Sequence, residues 1–167
     1  MRMQLWGRML NKLAFVAPGG FGVRPRLQKW RGVRIGANVW ISQYVYLDEI
    51  HPECITIQDN CSIGLRTSII AHMYWGPRQD SNVSGTVSIM SDTFVGPHCV
   101  ILPGVTIGSS VVIQAGTAVS RNVPSGVLWG GSPGRPLARV TVPLTREFGH
   151  EAFSRGLKPL RKKEKGG

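Results

Sequence analysis

The stretch IMSDTFVGPHCVILPGVTIGSSVVIQAGTAV, Ile89 to Val119, decides the fold. Its aliphatic residues Ile89, Val95, Ile101, Ile107, Ile113 and Val119 stand six apart without a slip. An amphipathic helix repeats its apolar stripe every ~3.6 residues and cannot hold a period of six. Strands alternate faces every two residues, so a six-residue recurrence returns to the same face. Each hexapeptide then reads as one short strand plus one bend, and stacked coils bury a continuous aliphatic ladder. A sandwich of unrelated short strands does not account for six consecutive hits in register.

Upstream, Ile57, Ile63 and Ile69 form a second in-register run, and Ile35, Ile41 and Leu47 a third. Glycine often follows the aliphatic position, as at Gly36, Gly64, Gly96 and Gly108. Two residues before it lies another small or branched side chain, such as Val33, Val39, Val45, Val105, Val111 or Thr117. The register breaks between Leu47 and Ile57, around His51-Pro52, and again between Ile69 and Ile89, where residues 73–86 leave the coil. Loops that interrupt a rigid repeat tend to carry function.

The organisation that follows has three parts. Residues 1–32 form an N-terminal amphipathic or capping segment, residues 33–124 the β-helix with its 73–86 excursion, and residues 125–167 a C-terminal turn and irregular basic tail. Leu5, Trp6, Met9, Leu10 and Leu13, with Arg2, Arg8 and Lys12 around them, suit one short helix. Such a helix can cap the open end of the coil or rest on a membrane surface.

The formal net charge of +11 sits at the ends: residues 1–34 carry eight basic side chains and no acid, while 35–134 sum to −3 and 135–167 to +6. A slightly acidic middle argues against a nucleic-acid partner. No apolar run reaches the ~18 residues of a membrane span. Met1 to Val16 lacks the clean apolar stretch of a secretory leader, so the expectation is a cytoplasmic protein, with association at the inner membrane surface through residues 1–16 as an option. Cys54, Cys61 and Cys99 are an odd count without a CxxC pair, which suggests neither a disulfide framework nor a zinc site.

The stretch Phe94-Val95-Gly96-Pro97-His98-Cys99-Val100-Ile101-Leu102-Pro103-Gly104-Val105-Thr106-Ile107-Gly108 resembles the hexapeptide-repeat acyltransferases, as do Gly116-Thr117-Ala118-Val119-Ser120-Arg121-Asn122-Val123-Pro124 and Gly131-Ser132-Pro133-Gly134-Arg135. The resemblance runs from about Val33 to Val140 and is nearest the sugar and polysaccharide O-acetyltransferase branch. It implies an all-β fold, a left-handed parallel β-helix, since handedness cannot be read from the period. It implies a homotrimer with active sites between subunits, and acetyl-CoA as cosubstrate with no metal. The activity implied is O-acetylation of a hydroxyl on a sugar or polysaccharide precursor. A serine O-acetyltransferase-like or amino-sugar N-acyltransferase activity is the nearer alternative, and a non-catalytic β-helix scaffold the remoter one.

The family's general base sits just before the coil excursion, which here is His72, in Ile69-Ile70-Ala71-His72. Histidine suits proton abstraction from a hydroxyl near neutral pH. His72 and His98 both stand three residues past a ladder position, so register alone does not choose between them. The resemblance assigns coenzyme A contacts to Pro97, Ala115, Ser120, Arg121 and Arg135. Small turn residues at Ala115 and Gly116 could equally be what the coil needs. Tyr74, Trp75 and Arg78 in the excursion would suit a sugar ring or a packed lid. Asp48 lies near where the family contacts sugar, or is a solvated turn residue. The family's assisting asparagine has its nearest counterpart at Ser42 or Gln43. Rival zinc enzymes of this fold need three histidine ligands, and there is no HxxxxH pair.

Overall fold

The computed structural model describes residues 2–72 and 85–160. Two helices, α1 (Arg2–Val16) and α2 (Val23–Trp30), precede the coil. Its strands are mostly two residues long: β1 (Arg34–Ile35), β2 (Trp40–Ile41), β3 (Tyr46–Leu47), β4 (Ile55–Ile57), β5 (Ser62–Ile63) and β6 (Ser68–Ile69). After the excursion come β7 (Val87–Ile89), β8 (Phe94–Val95), β9 (Val100–Ile101), β10 (Thr106–Ile107), β11 (Val112–Ile113) and β12 (Ala118–Val119).

Successive strands fall in turn into three parallel sheets, ordered β1-β4-β7-β10, β2-β5-β8-β11 and β3-β6-β9-β12. That rotation through three flats is a β-helix. The ladder positions meet across coils as the six-residue period requires: Ile57 opposite Ile89, Ile63 opposite Val95, Ile69 opposite Ile101. From Leu47 to Val119 these side chains are essentially sealed from solvent. Both register breaks are absorbed between flats, the first by a short 3-10 turn, Pro52–Cys54. β4 and β7 then pair in step, so the coil resumes after the second break in unchanged register.

Glycine follows the ladder for a reason beyond turning. A Cβ on Gly96 would stand 2.7 Å from the Ala115 nitrogen and 2.8 Å from the Ile113 oxygen of the next coil. A Cβ on Gly64 would meet the Pro97 nitrogen at 2.5 Å. The coils approach too closely there for a side chain. The bends themselves use left-handed residues, Asn38, Asn60, Asp92 and Ser110 at one corner, and Tyr44, Arg66, His98 and Gly116 at the next. Asparagine and aspartate tolerate that conformation better than most residues. They also stack: Asn38 donates to Asn60 and Asn60 to Asp92, at 3.3 and 3.0 Å.

The N-terminal segment contains two helices where the apolar spacing predicts one. Leu10, Ala14 and Ala17 pack on Leu27 of α2 in a cluster of their own. Together the helices cap the first coil. Ile41 N–H donates to the Gly20 carbonyl and Tyr44 N–H to that of Phe15, while Arg24 Nε donates to the Ile41 carbonyl at 2.7 Å. Among the described residues no helix is long and apolar enough to cross a membrane.

The C-terminal segment is more regular than an irregular tail. β13 (Val127–Gly130) adds a further parallel strand on β11, and β14 (Arg135–Val140) and β15 (Leu157–Lys158) follow antiparallel. With α3 (His150–Arg155) they enclose a satellite core of Val112, Val140 and Phe153. A search for a six-residue period ends at Val123 because an antiparallel hairpin does not repeat with the coil. Residues 161–167 lie outside the described part.

Ile101→Ala is expected to cost about 2–5 kcal/mol, since the ladder leaves no neighbour free to fill the cavity. Gly96→Ala should cost about 1–3 kcal/mol by forcing adjacent coils apart. Denaturant unfolding of each variant against the parent checks both.

Candidate active site

The third sheet carries the most chemistry. Because Leu47 of β3 lies opposite Ile69 of β6, the residues that follow them meet at one corner of consecutive coils. Asp48 N–H donates to the Ile69 carbonyl at 3.0 Å, and the Asp48 side chain turns toward residues 70–72. One carboxylate oxygen accepts the Ala71 N–H at 2.6 Å and a close hydrogen bond from His72 Nδ1. The other accepts the N–H groups of Ile50 at 2.8 Å and His51 at 3.0 Å. Asp48 is fully buried and His72 is 8% exposed.

Burial pushes the Asp48 carboxyl pKa up, but the amides of His51, Ala71 and Ile50 and the His72 ring outweigh it and hold it below the ordinary 3.8. A carboxylate satisfied by several N–H groups is stable as the anion. An ionised acceptor at Nδ1 fixes the tautomer: Nδ1 keeps the hydrogen and Nε2 is the basic nitrogen. Nε2 is then the nitrogen that could meet a substrate hydroxyl, with the carboxylate holding the ring in place.

The backbone under this pair is braced by Arg31, which caps the C-terminus of α2. Arg31 is buried and donates to the carbonyls of Asp48 at 2.7 Å and Leu47 at 3.3 Å. Its other contacts are Asn11 Oδ1 at 2.9 Å and Gln28 Oε1, both on the helices. Desolvation lowers the Arg31 pKa, while Glu49, Tyr46 and Asp48 work against that shift.

The remaining predicted residues fall into groups. Pro97 and Ala115 are on consecutive coils at the corner before the third sheet, where the Gly116 N–H donates to the Pro97 carbonyl at 2.9 Å. Ser120 and Arg121 are exposed at the corner after it, the corner of His72, two coils on. Between the two corners run the outward positions Ser68, Val100 and Ala118. Arg121 lies over the Trp129 ring at 5.6 Å, and Arg135 is exposed at the start of β14. Tyr74, Trp75 and Arg78 lie outside the described residues.

Asp48 is the clearest difference from the sequence reading. It is neither a solvated turn residue nor open to a sugar, because both carboxylate oxygens are taken up inside the chain. Ser42 and Gln43 sit at the corner before the third sheet, hydrogen-bonded to Ile63 and Arg66, away from the His72 corner. The carboxylate of Asp48 is what His72 Nδ1 meets. The signal was available in the ladder: aligning Leu47 with Ile69 puts Asp48 beside the residues leading to His72. His98 separates from His72 on conformation, being an exposed left-handed corner residue.

Cys61 and Cys99 offer little nucleophilic chemistry. Burial pushes the Cys61 thiol up to about 12 and raises that of Cys99 too. Both point inward and donate to carbonyls, Cys61 to Met90 at 3.1 Å and Cys99 to Gln114 at 3.2 Å. Among the described residues His51, Glu53 and Cys54 bring three possible metal-ligating atoms within 4.8 Å of one another. His51 is already engaged with Glu53 at 3.1 Å, and its ring centroid is 6.5 Å from that of His72.

Residues 86–121 match the family described as bacterial transferase hexapeptide (six repeats). Over 103 residues, 62% of this chain, the sequence is 36% identical to "Putative acetyltransferase YvoF" of Bacillus subtilis (strain 168). Over 113 residues, 63% of this chain, it is 31% identical to the galactoside O-acetyltransferase of Escherichia coli (strain K12). The chain spans only 58% and 56% of the length of these two curated relatives. Among solved structures, the hexapeptide-repeat acetyltransferase VCA0836 of Vibrio cholerae O1 biovar eltor, complexed with acetyl coenzyme A, superposes with a TM-score of 0.65. That likeness covers 83% of this chain and 87% of the other at 22% identity, and is one of fold. A galactoside acetyltransferase in complex with coenzyme A gives a TM-score of 0.54 at 23% identity, covering 83% of this chain and 80% of that one.

The depressed Asp48 pKa has a signed consequence. Its contribution to stability is complete above the ordinary carboxylate value and is lost as pH falls through the lower folded value. The parent should lose stability on acidification below the ordinary carboxylate value of 3.8 more steeply than Asp48→Asn. The variant should also be about 2 kcal/mol less stable near neutrality. Denaturant midpoints across that pH range for both proteins check the sign.

Proposed function

We propose that this chain, a hexapeptide-repeat protein akin to the acetyltransferases, moves an acetyl group from acetyl-CoA to a hydroxyl of a sugar or polysaccharide precursor. The observation that carries the reading is the Asp48–His72 pair at a coil corner, beside the excursion that follows His72. The curated relatives, one of them named for galactoside O-acetylation, support the choice of acyl group and acceptor.

In this reading His72 Nε2 takes the proton of the acceptor hydroxyl as its oxygen attacks the thioester carbonyl. The carbonyl becomes an oxyanion that backbone N–H groups can stabilise. Collapse breaks the C–S bond, leaving the acetyl ester and the coenzyme A thiolate, which takes the proton from the imidazolium. Asp48 holds the ring in the required tautomer throughout and offsets its transient charge. No covalent enzyme intermediate is needed, which agrees with the inward, high-pKa thiols of Cys61 and Cys99.

The coenzyme is assigned to the third sheet's outer face. Small side chains at Ser68, Val100 and Ala118 would let an extended pantetheine arm lie close to the coil, with Pro97 and Ala115 along one edge and Ser120 along the other. Arg121 and Arg135 would meet the phosphates, where guanidinium groups pair well. Tyr74, Trp75 and Arg78 are assigned to the acceptor. The coil is taken as left-handed, and the site as completed between subunits of a homotrimer.

Turnover of acetyl-CoA with a panel of sugars tests the assignment. His72→Ala should lower kcat/KM by about 10²–10⁴-fold. Asp48→Asn should lower it by about 10–10³-fold, with His72 retained but its tautomer no longer fixed. Undiminished transfer by His72→Ala would remove the base from the mechanism. Failure of the parent to bind coenzyme A at all would favour a scaffold instead. Light scattering should return three times the chain mass, and a monomer would exclude a site shared between subunits.

A further inference from the structure

α1 has two apolar stripes, and the fold uses only one. Leu10 and Ala14 face α2 and are buried. Leu5, Trp6, Met9, Leu13 and Val16 lie on the other side of the helix, each more than half exposed. The spacing of Leu5, Met9, Leu13 and Val16 lines them up along a single outward stripe. Five large apolar side chains on one helix face are more than the scattered exposure a soluble surface normally carries.

The charge carried by the segment around this stripe is of one sign. Residues 1–34 contain eight basic side chains and no acid. Arg24 and Arg31 are buried in structural roles, but Arg8, Lys12, Arg26, Lys29 and Arg34 are exposed. At ~100° per residue, Arg8 and Lys12 flank the apolar stripe on the side away from α2. Arg8 reaches the nearest acid, Glu49 of the coil, at 3.5 Å in an exposed pair that holds it weakly. Trp30, at the end of α2, is the most exposed large apolar residue of the chain's described part. Tryptophan with flanking cations suits the boundary between lipid headgroups and acyl chains.

We propose that α1, with the basic surface around it, docks on an anionic lipid bilayer, lying in the interface rather than crossing it. A second copy is the poorer occupant on charge, because two such segments face to face would bring together cations with no acid of their own. An anionic surface complements them, each basic side chain near it adding to the attraction, while the apolar stripe inserts below the headgroups. Docking there would also place the candidate site near the bilayer. α1 and α2 supply Asn11 and Gln28 to the Arg31 cluster that holds the Asp48 carbonyl. A membrane-presented acceptor follows from that placement and rests on the acyl-transfer reading, whereas lipid binding does not.

Co-sedimentation of the full chain, without substrate, tests the docking. The probes are phosphatidylcholine vesicles and vesicles containing about one-third phosphatidylglycerol. The parent should partition onto the anionic vesicles and at least about tenfold more weakly onto the neutral ones. Binding to anionic vesicles should weaken several-fold in about 0.5 M salt. The triple variant Leu5→Gln, Met9→Gln, Leu13→Gln should lose about tenfold or more in partitioning, with circular dichroism and melting temperature unchanged because these positions are exposed. Arg8→Gln with Lys12→Gln should lose affinity and part of the salt dependence. No binding to anionic vesicles, or equal binding by the triple variant, overturns the proposal. So does a triple variant that falls to a lower oligomeric mass in light scattering, which would give the stripe to a second copy.

Discussion

Everything in this chain depends on how closely one coil can lie on the next. Parallel pairing sets the spacing between strands, and a ladder of Ile, Val and Leu fills the interior at that spacing. The same approach excludes a side chain where the coil turns over its neighbour, so Gly64 and Gly96 are required by the backbone above them. It also makes the bends stack, which is why Asn38, Asn60 and Asp92 form a column of side-chain hydrogen bonds. A residue's neighbours in space are thereby those one coil away in sequence.

The Asp48–His72 pair is a product of that rule. Strand pairing between β3 and β6 brings their following residues together without any dedicated loop. A buried carboxylate would ordinarily be costly, and here three backbone N–H groups and an imidazole satisfy it. Two of those N–H groups come from Ile50 and His51, in the first register break. The extra residues between Leu47 and Ile57 thus supply half of the carboxylate's partners, so the break is part of the site and not a tolerated insertion.

The coil was legible because its signal is one number repeated. Ile89 to Val119 fixes the period, the pairing of the strands shows three flats, and His72 was singled out from His98 by the family resemblance and its place before the excursion. Asp48 was harder to read because a lone acid after an aliphatic residue looks like a turn, and its meaning appears only when two coils are laid in register. The second N-terminal helix was missed since Val23–Trp30 contains a proline and three basic residues and buries Arg24 and Gln28, polar residues that no apolar count includes. The C-terminal hairpin escaped for the opposite reason: it is ordinary antiparallel structure, invisible to a search for sixes. Handedness has no expression in the hydrophobic pattern at all.

The buried Arg31 explains why the N-terminal helices are more than a lid. A guanidinium in a protein interior carries a large desolvation cost, which only several acceptors can offset. Arg31 finds them on both sides of a boundary: Asn11 and Gln28 from the helices, the Leu47 and Asp48 carbonyls from the coil. Had the helices served only to cover the open end, the capping bonds to Ile41 and Tyr44 would have sufficed. The additional charge is placed where it fixes the peptide carrying the carboxylate that orients His72. The rigidity of the candidate site is therefore built from two directions, by coil stacking along the axis and by a helix-borne cation from below. A perturbation of α1 strong enough to shift Asn11 has a direct mechanical route to His72.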